Sequence, residues 1–378
     1  MEDLYTPQEA NRYFKGDPII WYIVVALSVL SILVVYSATQ TLAYKTLTDP
    51  ESYLLRHSKL VILALVVMWV AHRIDYRFYA RLSLLALYLS VPLLLIALKF
   101  GTTIHDASRW ITIPFINQSF QPSDLAKLAL IAHLSAMLSR RQQNIESLQS
   151  SIVPMFAWVG LICAIIGLSN FSSALILFMT SLLIMFIGRV PIRYFLVLLL
   201  VGSLSISLAL VVGQRGATVK SRINTFIESY KDTDKAPFQA QQSYIAIATG
   251  GISGKGPGNS DQRNFIPYPY SDFIFAVIVE EYGLVGGAFV IFLYLALLYR
   301  GMMIMARSNR AFGGILAAGL SFSLVIQAMV NMAVAVGLIP ITGLPLPLLS
   351  MGGTSLLFTG ISIGVILSVS RGDIVEER

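Results

Sequence analysis

The sequence predicts an all-α integral membrane protein with about ten transmembrane helices, both termini in the cytoplasm, and a long extracytoplasmic loop between helices seven and eight. The first observation is composition: of 378 residues, 56% are hydrophobic and 12% are charged, and the mean hydropathy is +0.73. A soluble domain carries about a quarter charged residues, so this chain would expose too much apolar surface to water. The other observations are apolar runs of bilayer length and an uneven distribution of basic residues between the loops.

Ten apolar runs are long enough for a membrane span, and each is predicted to be helical because lipid cannot satisfy open backbone groups. The runs lie near 19–38, 58–72, 82–99, 124–138, 152–168, 172–188, 194–212, 273–299, 313–336 and 354–370. The sequence contains no convincing internal repeat, which disfavours an inverted-repeat transporter. We therefore expect a single polytopic membrane domain over residues 1–378, with 213–272 as its large outer loop.

Basic residues indicate the orientation. The loops after spans two, four, six and eight contain Arg73, Arg77, Arg81, Arg140, Arg141, Arg189, Arg193, Arg300, Arg307 and Arg310. The short loops after spans one, three, five and nine contain only Lys45, Arg56, Lys59, Lys99 and Arg109. Because the basic side faces the cytoplasm, both termini are predicted there, and the loops 100–123, 213–272 and 337–353 share the outer face.

The charge and cysteine content exclude several classes of function. A net charge of +7 could indicate nucleic-acid binding, but in a membrane protein it favours basic cytoplasmic loops beside anionic lipid, so we predict no nucleic-acid partner. The single cysteine, Cys163, rules out an internal disulfide, and four histidines are too scattered for a metal site. The first apolar run is predicted to be a retained helix, since no small-residue cleavage site follows it.

The first outer loop ends in "FQPSDLAK", which is typical of a helix start. Pro122 stiffens the entry, Ser123 can cap, and Asp124 meets the helix dipole in the first turn. Lys127 lies three residues further on, so it can pair with Asp124 on one face. The alternative is an ordinary capped helix with a snorkelling lysine. Upstream, Arg109 and Trp110 fit either an interfacial anchor or a phosphate contact.

The second outer loop contains a helical pattern and a glycine-rich stretch. Apolar residues recur at helical spacing over 219–230, which predicts a helix on the membrane surface whose charges form a solvated face or bind headgroups. The stretch "TGGISGKGPGNSDQRNF" does not match a phosphate loop, because Gly256 replaces the required Ser or Thr and Thr249 replaces the first glycine. We interpret it as a flexible loop that closely approaches another segment.

The third outer loop, "GLIPITGLPLPLLSMGGTS", is rich in proline and glycine and cannot form a regular helix. Irregular backbone at membrane depth is tolerated only where it is buried in protein or lines a wet cavity. The loop is therefore either a hinge or re-entrant turn, or a segment whose amides meet a ligand.

Three carboxylates lie at and inside the apolar run of "NFIPYPYSDFIFAVIVEEYGLVGG". Glu280 and Glu281 are adjacent and point about 100° apart, so at least one is predicted to face the bundle interior and pair with a polar group. Asp272 is expected at the membrane mouth, where it acts as a helix cap or as a general base.

These motifs resemble the SEDS family (shape, elongation, division and sporulation) of bacterial peptidoglycan glycosyltransferases. The stretches "FQPSDLAKL", "GKGPGNSDQRNFIPYPYSDFIFAVIVEEYGLVGG" and "NMAVAVGLIPITGLPLPLLSMGGTS" carry the resemblance, which covers nearly the whole chain and is closest to division-type members. The resemblance implies polymerisation of lipid II, a disaccharide-peptide on undecaprenyl pyrophosphate, at the outer face of the bacterial cytoplasmic membrane and at the division septum.

The resemblance also implies roles for individual residues. The family's essential acid falls on Asp272, which would act as a general base on the acceptor sugar hydroxyl. The family's paired glutamate and lysine fall on Asp124 and Lys127. The leaving pyrophosphate would be neutralised by a basic residue, alone or with a divalent cation (Mg²⁺ or Mn²⁺). The candidate phosphate-binding bases are Arg109, Lys127, Arg215 and Lys255. The other candidate substrate-binding residues are Trp110, Ser123, Asn259, Gln262, Glu280, Glu281, Gly352, Gly353, Thr354 and Ser355.

The chain departs from the family pattern in four places. Asp124 is one methylene shorter than the family's glutamate, one arginine is missing before Trp110, "SNFSSA" after span five lacks the family's acid, and Met351 replaces a tyrosine. The implied partners are a class B penicillin-binding protein, which is a transpeptidase, and other division proteins. Two alternative functions stay open: a lipid II flippase, and a scaffold without chemistry that recruits the transpeptidase.

Overall fold

Helices make up nearly all of the protein, as the sequence predicts. The computed structural model describes residues 15–46, 50–104, 107–113, 118–142, 145, 147–212 and 216–376. The α-helices are α1 (Pro18–Thr46), α2 (Pro50–Arg73), α3 (Tyr76–Phe100), α4 (Pro122–Arg140), α5 (Val153–Ser169), α6 (Phe171–Ile187), α7 (Ile192–Val212), α8 (Gly216–Lys231), α9 (Phe238–Gly250), α10 (Ile274–Arg307), α11 (Ala311–Ala335) and α12 (Thr354–Glu376). A π-helical turn (Leu148–Ile152) precedes α5, and 3₁₀ turns follow α8 and α9.

Seven helices of the described part are long and apolar enough to cross a membrane: α1, α2, α3, α5 with its π turn, α10, α11 and α12. Two shorter apolar helices occupy Phe171–Ile187 and Ile192–Leu204. Each of the ten predicted runs overlaps one of these nine helices or α4. The protein is therefore a multi-pass membrane protein.

A small sheet in the first outer loop was not predicted. Strands β1 (Thr102–Ile104), β2 (Ala107–Ile113) and β3 (Gln118–Phe120) pair antiparallel in the order β1-β2-β3. Thr102 pairs with Trp110 and Ile111 with Phe120. The strands are rich in threonine, isoleucine and aromatic residues, which favour pleated structure. The all-α prediction is wrong here, because runs of three to seven residues are too short to give a periodic signal.

Close backbone packing joins α12 to α2. Gly360 and Gly364 are four residues apart on one face of α12, and a Cβ on either would overlap a backbone carbonyl of α2, that of Ala64 or Met68. Without a hydrophobic driving force in lipid, such small residues let helices approach closely enough for dispersion contacts. This contact fixes the start of α12, where the third outer loop ends.

Helix α10 contains a break at Gly283, whose φ of 70° and ψ of −172° are not helical. Residues 251–256 of the outer loop bond to the backbone groups that the break exposes. The bonds run from Lys255 N to Glu280 O, Gly256 N to Glu281 O, Leu284 N to Gly251 O and Val285 N to Ile252 O, at 2.9–3.2 Å. A Cβ on Gly254 would overlap the backbone of Glu281. This is the close approach that the glycine-rich stretch predicts.

The break folds residues 274–282, the re-entrant segment, back along the rest of α10. A Cβ on Gly287 would lie 3.4 Å from the ring of Phe275, although the two residues would be about 18 Å apart in a straight helix. Residues 274–281 are buried on every side, as expected of a helix enclosed by protein. The prediction of one continuous span over 273–299 is therefore wrong, because one glycine reverses the chain.

The re-entrant segment carries its N-terminal end into the bundle. The Tyr294 hydroxyl donates to the carbonyl of Pro347, and Ser350, three residues along, donates to the carbonyl of Ser271 at 2.6 Å. Residues 271–272 thus lie level with Tyr294, roughly 16 Å along the helix from Gly283. The structure corrects the expected position of Asp272, which lies inside the bundle rather than at its outer rim.

Two predicted helix features are tested directly. The pattern over 219–230 forms α8, so that prediction is confirmed. Helix α4 begins at Pro122, one residue earlier than a Ser123 cap requires, and its N-cap is Gln121. The hydroxyl of Ser123 instead accepts a bond from the Gln121 side chain at 2.7 Å. The prediction of a Ser123 cap is wrong.

Candidate functional site

Asp272 lies half-buried at the inner end of the re-entrant segment. Its Oδ1 atom accepts a hydrogen bond from the Ser271 hydroxyl at 2.9 Å, and its backbone carbonyl accepts one from the Asn331 amide at 2.8 Å. A Cβ built on Gly343 would lie 3.6 Å from Oδ2, so the third outer loop passes close to the carboxylate. The N-cap of α10 is Phe273, which leaves the general-base reading of Asp272 as the stronger alternative.

The third outer loop, residues 337–353, is held by side chains from four helices. Its backbone lacks helical partners, so its carbonyls need other donors. Five carbonyls of the loop accept side-chain bonds, from Arg222 to Ile341, Asn331 to Leu344, Gln327 to Pro345, Tyr294 to Pro347 and Ser31 to Leu349. The bonds from Arg222, Asn331, Gln327 and Ser31 measure 2.7–3.1 Å. These bonds therefore hold the loop in one position beside Asp272.

The predicted Asp124–Lys127 pair forms, and its prediction is confirmed. The Lys127 ammonium lies 2.7 Å from Asp124 Oδ1, and the side chains are 15% and 5% exposed. Within the part of the chain that the structure describes, Asp124 Oδ2 is buried and has no hydrogen-bond partner. A buried carboxylate oxygen without a donor is costly, so this oxygen is available to a ligand or water that enters from the adjacent cavity.

That cavity lies between α4, α11 and α12. Its polar lining residues are Asp124, Lys127, Ser323, Gln327, Ser355, Thr359 and Ser362. Lys127 and six other polar side chains therefore lie inside a helical bundle. Burying polar side chains there costs free energy, and such groups mark functional sites. The cavity can therefore bind a polar group.

Helix α11 connects this cavity to Asp272. Gln327 lines the cavity, and Asn331, four residues on, bonds to the carbonyl of Asp272. Residues four apart on a helix lie about 6 Å apart along the axis on the same face. The segment that carries Asp272 and the cavity that holds the Asp124–Lys127 pair thus contact the same face of α11.

The glycines predicted to act through their backbone form the turn that leads into α12. Gly353 has a φ of +54°, which only glycine adopts readily. The amide of Met351 donates to the carbonyl of Tyr270 at 2.9 Å. Gly352 and Gly353 are thereby placed next to the segment that carries Asp272. Thr354 begins α12.

Tyr270 stays a neutral phenol beside this site. Burial raises the pKa of its hydroxyl to about 12, and the nearby Tyr268 acts in the same direction. Since this value is far above physiological pH, Tyr270 can donate a hydrogen bond but cannot serve as a base near neutrality.

Glu280 is an anchor for the outer loop. It is fully buried, and its carboxylate accepts from the Lys255 ammonium at 2.7 Å, the Ser260 hydroxyl at 2.5 Å and the amide of Asp261 at 3.1 Å. The amide of Gln262 also donates to it at 3.2 Å. The prediction that one of the paired acids faces the interior and bonds to a base is confirmed. These bonds occupy the carboxylate, so the geometry favours a structural role over substrate binding.

Lys255 and Asn259 share this structural arrangement. The Lys255 ammonium also bonds to Asp261 at 2.9 Å, and hydrogen bonds to the two carboxylates, first that of Glu280, raise its pKa. The Asn259 amide donates to the carbonyl of Lys255. Because its ammonium is already held twice, Lys255 is a weak candidate for the pyrophosphate.

Glu281 contacts α1 and the outer loop. Its Oε1 atom accepts from the Ser37 hydroxyl and lies 3.9 Å from the Arg263 guanidinium. Arg263 donates to the carbonyl of Ser37 at 3.1 Å. These contacts tie the re-entrant segment and the outer loop to α1, and they favour a structural role for Glu281.

Two of the remaining candidates lie in β2, and the third lies outside the described residues. Arg215 lies outside the described residues. Arg109 lies in β2, and its side chain is outside the described part. Trp110 is half-buried in the same strand.

Sequence reasoning missed Gln327, Asn331 and Tyr294, which bond to the third outer loop. A signal for the first two was present, since an amide side chain inside an apolar span is costly unless it has a partner.

Among the residues that the structure describes, there is no group of three or more His, Cys, Asp or Glu side chains that could hold an ion. Mg²⁺ commonly needs only one or two carboxylates when substrate phosphates complete its shell. The chemistry of Asp272 and Asp124 is compatible with that arrangement.

The fold and site together define a polytopic membrane protein with an acid carried on a re-entrant helix beside a polar cavity. The chain belongs to the FtsW/RodA/SpoVE family, whose model is described as a cell cycle protein and matches residues 17–373. The SEDS resemblance of the sequence motifs is thereby confirmed.

Known proteins similar to the chain include a relative from Geobacter sp. (strain M18) named "Probable peptidoglycan glycosyltransferase FtsW". It is 33% identical over 94% of this chain and 96% of its own length. The fold is similar to that of RodA, the rod shape-determining protein of Thermus thermophilus, with a TM-score of 0.69, 25% identity, and coverage of 95% and 98% of the two chains. It also matches a chain of a peptidoglycan synthase complex that coordinates polymerization and crosslinking, with a TM-score of 0.75, 24% identity, and coverage of 96% and 99%.

Proposed function

We propose that this protein is a peptidoglycan glycosyltransferase that polymerises lipid II into glycan strands at the outer face of the bacterial cytoplasmic membrane, for septal wall synthesis. One observation carries the proposal: Asp272 is held half-buried at the inner end of a re-entrant helix, against the same face of α11 that lines the cavity of Asp124 and Lys127. Family membership and the similarity to glycosyltransferases support the assignment.

The reaction needs one base and one source of positive charge. Asp272 takes the proton from the acceptor sugar hydroxyl as that oxygen bonds to the anomeric carbon of the donor. The bond from that carbon to the pyrophosphate oxygen breaks, and the lipid pyrophosphate leaves with the bonding electrons. Its charge is neutralised by Lys127, which is preorganised by Asp124.

The lipid tail requires an apolar path beside the polar site. A groove between α6, α10 and α11 has an empty volume of about 780 Å³ and is lined by apolar residues, including Ile339 of the third outer loop. Val330 and Ala333, which flank Asn331 on α11, also line it. We assign this groove to the polyprenyl chain, which stays in the bilayer during the reaction.

We extend the seven apolar helices to a ten-span topology in which α4, α6 and α7 also cross the membrane and both termini are cytoplasmic. The whole chain then acts as one polytopic domain, with the loop 213–272 outside and α8 on the membrane surface. The distribution of arginine supports this orientation. The site then faces outward, where lipid II is polymerised.

The proposed partners are a class B penicillin-binding protein and other division proteins. The support is the similarity to a chain of a peptidoglycan synthase complex that coordinates polymerization and crosslinking. Such a pairing would pass new glycan strands from this chain to the transpeptidase. A divalent cation, Mg²⁺ or Mn²⁺, is proposed as an additional neutraliser of the pyrophosphate.

The function is tested with purified protein and lipid II, with glycan length as the readout. Asp272→Asn keeps the size of the side chain and removes the base, so we expect polymerisation to fall at least about 100-fold with an unchanged thermal midpoint. Asp261→Asn is the matched control, because Asp261 is an exposed acid of the same outer loop. Polymerisation by Asp272→Asn at the native rate would exclude Asp272 as the base. Lipid II translocation without polymer from wild type would favour the flippase alternative.

A further inference from the structure

A buried histidine of α2 is connected to the third outer loop. His57 is completely buried, and its Nε2 atom lies 2.8 Å from the hydroxyl of Ser31 on α1. The Ser31 hydroxyl also lies 2.9 Å from the carbonyl of Leu349. An ionisable residue inside a membrane bundle is costly and is a functional candidate by default. Nothing in the proposed reaction uses His57.

The hydrogen-bond inventory fixes which atom donates. A serine hydroxyl has one proton, and the Leu349 carbonyl can only accept, so the Ser31 proton points to Leu349. The hydroxyl must then accept from His57, which means that Nε2 carries a proton. His57 Nδ1 is buried and has no hydrogen-bond partner among the described residues. The ring therefore acts as a donor that orients Ser31.

The bond reaches a strained part of the third outer loop. Leu348 has a φ of +63°, a conformation that is unfavourable for a residue with a side chain and persists only when neighbours impose it. The carbonyls on either side are held, that of Pro347 by Tyr294 and that of Leu349 by Ser31. The Ser31 bond is thus one of two clamps on the strained residue.

Ser350 connects the clamped part of the loop to the backbone beside Asp272. The hydroxyl of Ser350 accepts from the amide of Leu346 at 2.8 Å and donates to the carbonyl of Ser271 at 2.6 Å. Ser271 directly precedes Asp272. A continuous series of contacts therefore leads from His57 through Ser31 and the loop to the backbone beside the acid.

We propose that His57 and Ser31 are positioning residues for Asp272: through the Leu349 carbonyl they hold the loop that fixes the acid where it meets the acceptor hydroxyl. The proposal rests on the proposed function, because it assigns these residues to the same reaction. Neither residue needs to touch the substrate. A misplacement of about 1 Å of a reacting group can cost about 100-fold in rate, so loss of one clamp is expected to affect turnover.

The test compares variants of the purified full-length protein in lipid II polymerisation. His57→Leu removes the donor and Ser31→Ala removes the hydroxyl. We expect each to lower kcat between about 10-fold and about 100-fold and to leave KM within about twofold, because binding groups are untouched. His57→Gln keeps an N–H donor and is expected to stay within about threefold of wild type, with an unchanged pH profile of kcat.

Two further measurements separate positioning from general structure. The double variant His57→Leu/Ser31→Ala should be no slower than the slower single variant, since both act through one hydrogen bond. Thr39→Val is the control: Thr39 is a buried hydroxyl of the same helix that bonds only within α1, and we expect native kcat. Hydrogen exchange at residues 344–351 should rise in His57→Leu while the rest of the bundle stays protected.

The outcomes are decisive in both directions. Additive losses in the double variant, a raised KM with native kcat, a shifted pH profile in His57→Gln, or native kcat in Ser31→Ala would each overturn the proposal. If His57→Leu fails to fold, Ser31→Ala alone decides it. Native kcat in Ser31→Ala while Asp272→Asn is inactive would refute only this inference, whereas native turnover by Asp272→Asn would refute the role of Asp272 itself.

Discussion

The Asp124–Lys127 pair is the most enclosed ion pair near the polar cavity. The two side chains are almost completely buried, and the free Oδ2 of Asp124 lies beside the cavity. A buried pair of this kind is weak evidence for stability, since the cost of removing both charges from water offsets the attraction. Its position beside the cavity instead indicates that the charge serves a ligand.

Replacing one partner should therefore affect both stability and rate. Lys127→Met leaves a buried carboxylate uncompensated, so we expect the free energy of unfolding to fall by about 3 kcal/mol and polymerisation to fall about 100-fold. Thermal unfolding and glycan synthesis measure the two effects.

The double variant Asp124→Asn/Lys127→Met separates these effects. With neither charge present, stability should return toward the native value while the rate stays low. Native turnover in the double variant would contradict the role of Lys127.

At this scale, sequence reasoning succeeded where spacing alone decides proximity. Three residues along a helix place Lys127 beside Asp124 whatever surrounds them. It failed where partners come from distant segments. The donors that enclose Glu280 lie about 20 residues away, in a loop whose path no local pattern specifies, and residue patterns left Asp272 as either a helix cap or a general base until the resemblance favoured the second.

The re-entrant segment depends on one glycine. Gly283 has a φ of 70°, and a Cβ there would overlap the carbonyl of Ile252. Residues 251–256 and the segment thus meet backbone to backbone, which no other residue permits. The element consequently positions Asp272 only while this contact stays intact.

Substituting Gly283→Ala should disturb that contact. Left-handed strain and the overlap together should lower the free energy of unfolding by more than about 2 kcal/mol, and polymerisation should fall sharply because Asp272 moves. Thermal unfolding and glycan synthesis are the measurements. Gly160→Ala on α5 is the control, since its Cβ would meet open space, and we expect native activity. A fully active and stable Gly283→Ala would show that the close approach is dispensable.

Elements were predictable in proportion to their length. The long apolar helices follow from composition and the cost of unpaired backbone in lipid. The reversal at Gly283 was missed because the apolar run continues through it and a single glycine inside a helical pattern is an ambiguous signal. The strands β1–β3 were missed because they are short and pair only with one another.

For the whole molecule, the proposed cation can be tested by its removal. We expect EDTA to lower polymerisation about tenfold or more and Mg²⁺ or Mn²⁺ to restore it, because an ion would share the pyrophosphate charge with Lys127. Without lipid II, EDTA should leave the thermal midpoint unchanged, since the described residues offer no cluster of three ligands. Unchanged glycan synthesis in EDTA would restrict charge neutralisation to side chains.

The reversal of α10 converts a small change of angle at Gly283 into a larger displacement of Asp272. The re-entrant segment is nine residues of helix, roughly 14 Å long, with Gly283 at one end and Asp272 just beyond the other. A tilt of about 10° at Gly283 would swing the far end by roughly 2 Å, which is more than a catalytic group tolerates. A protein that binds residues 251–264 from outside would thereby shift the position of Asp272 without contacting the sugar.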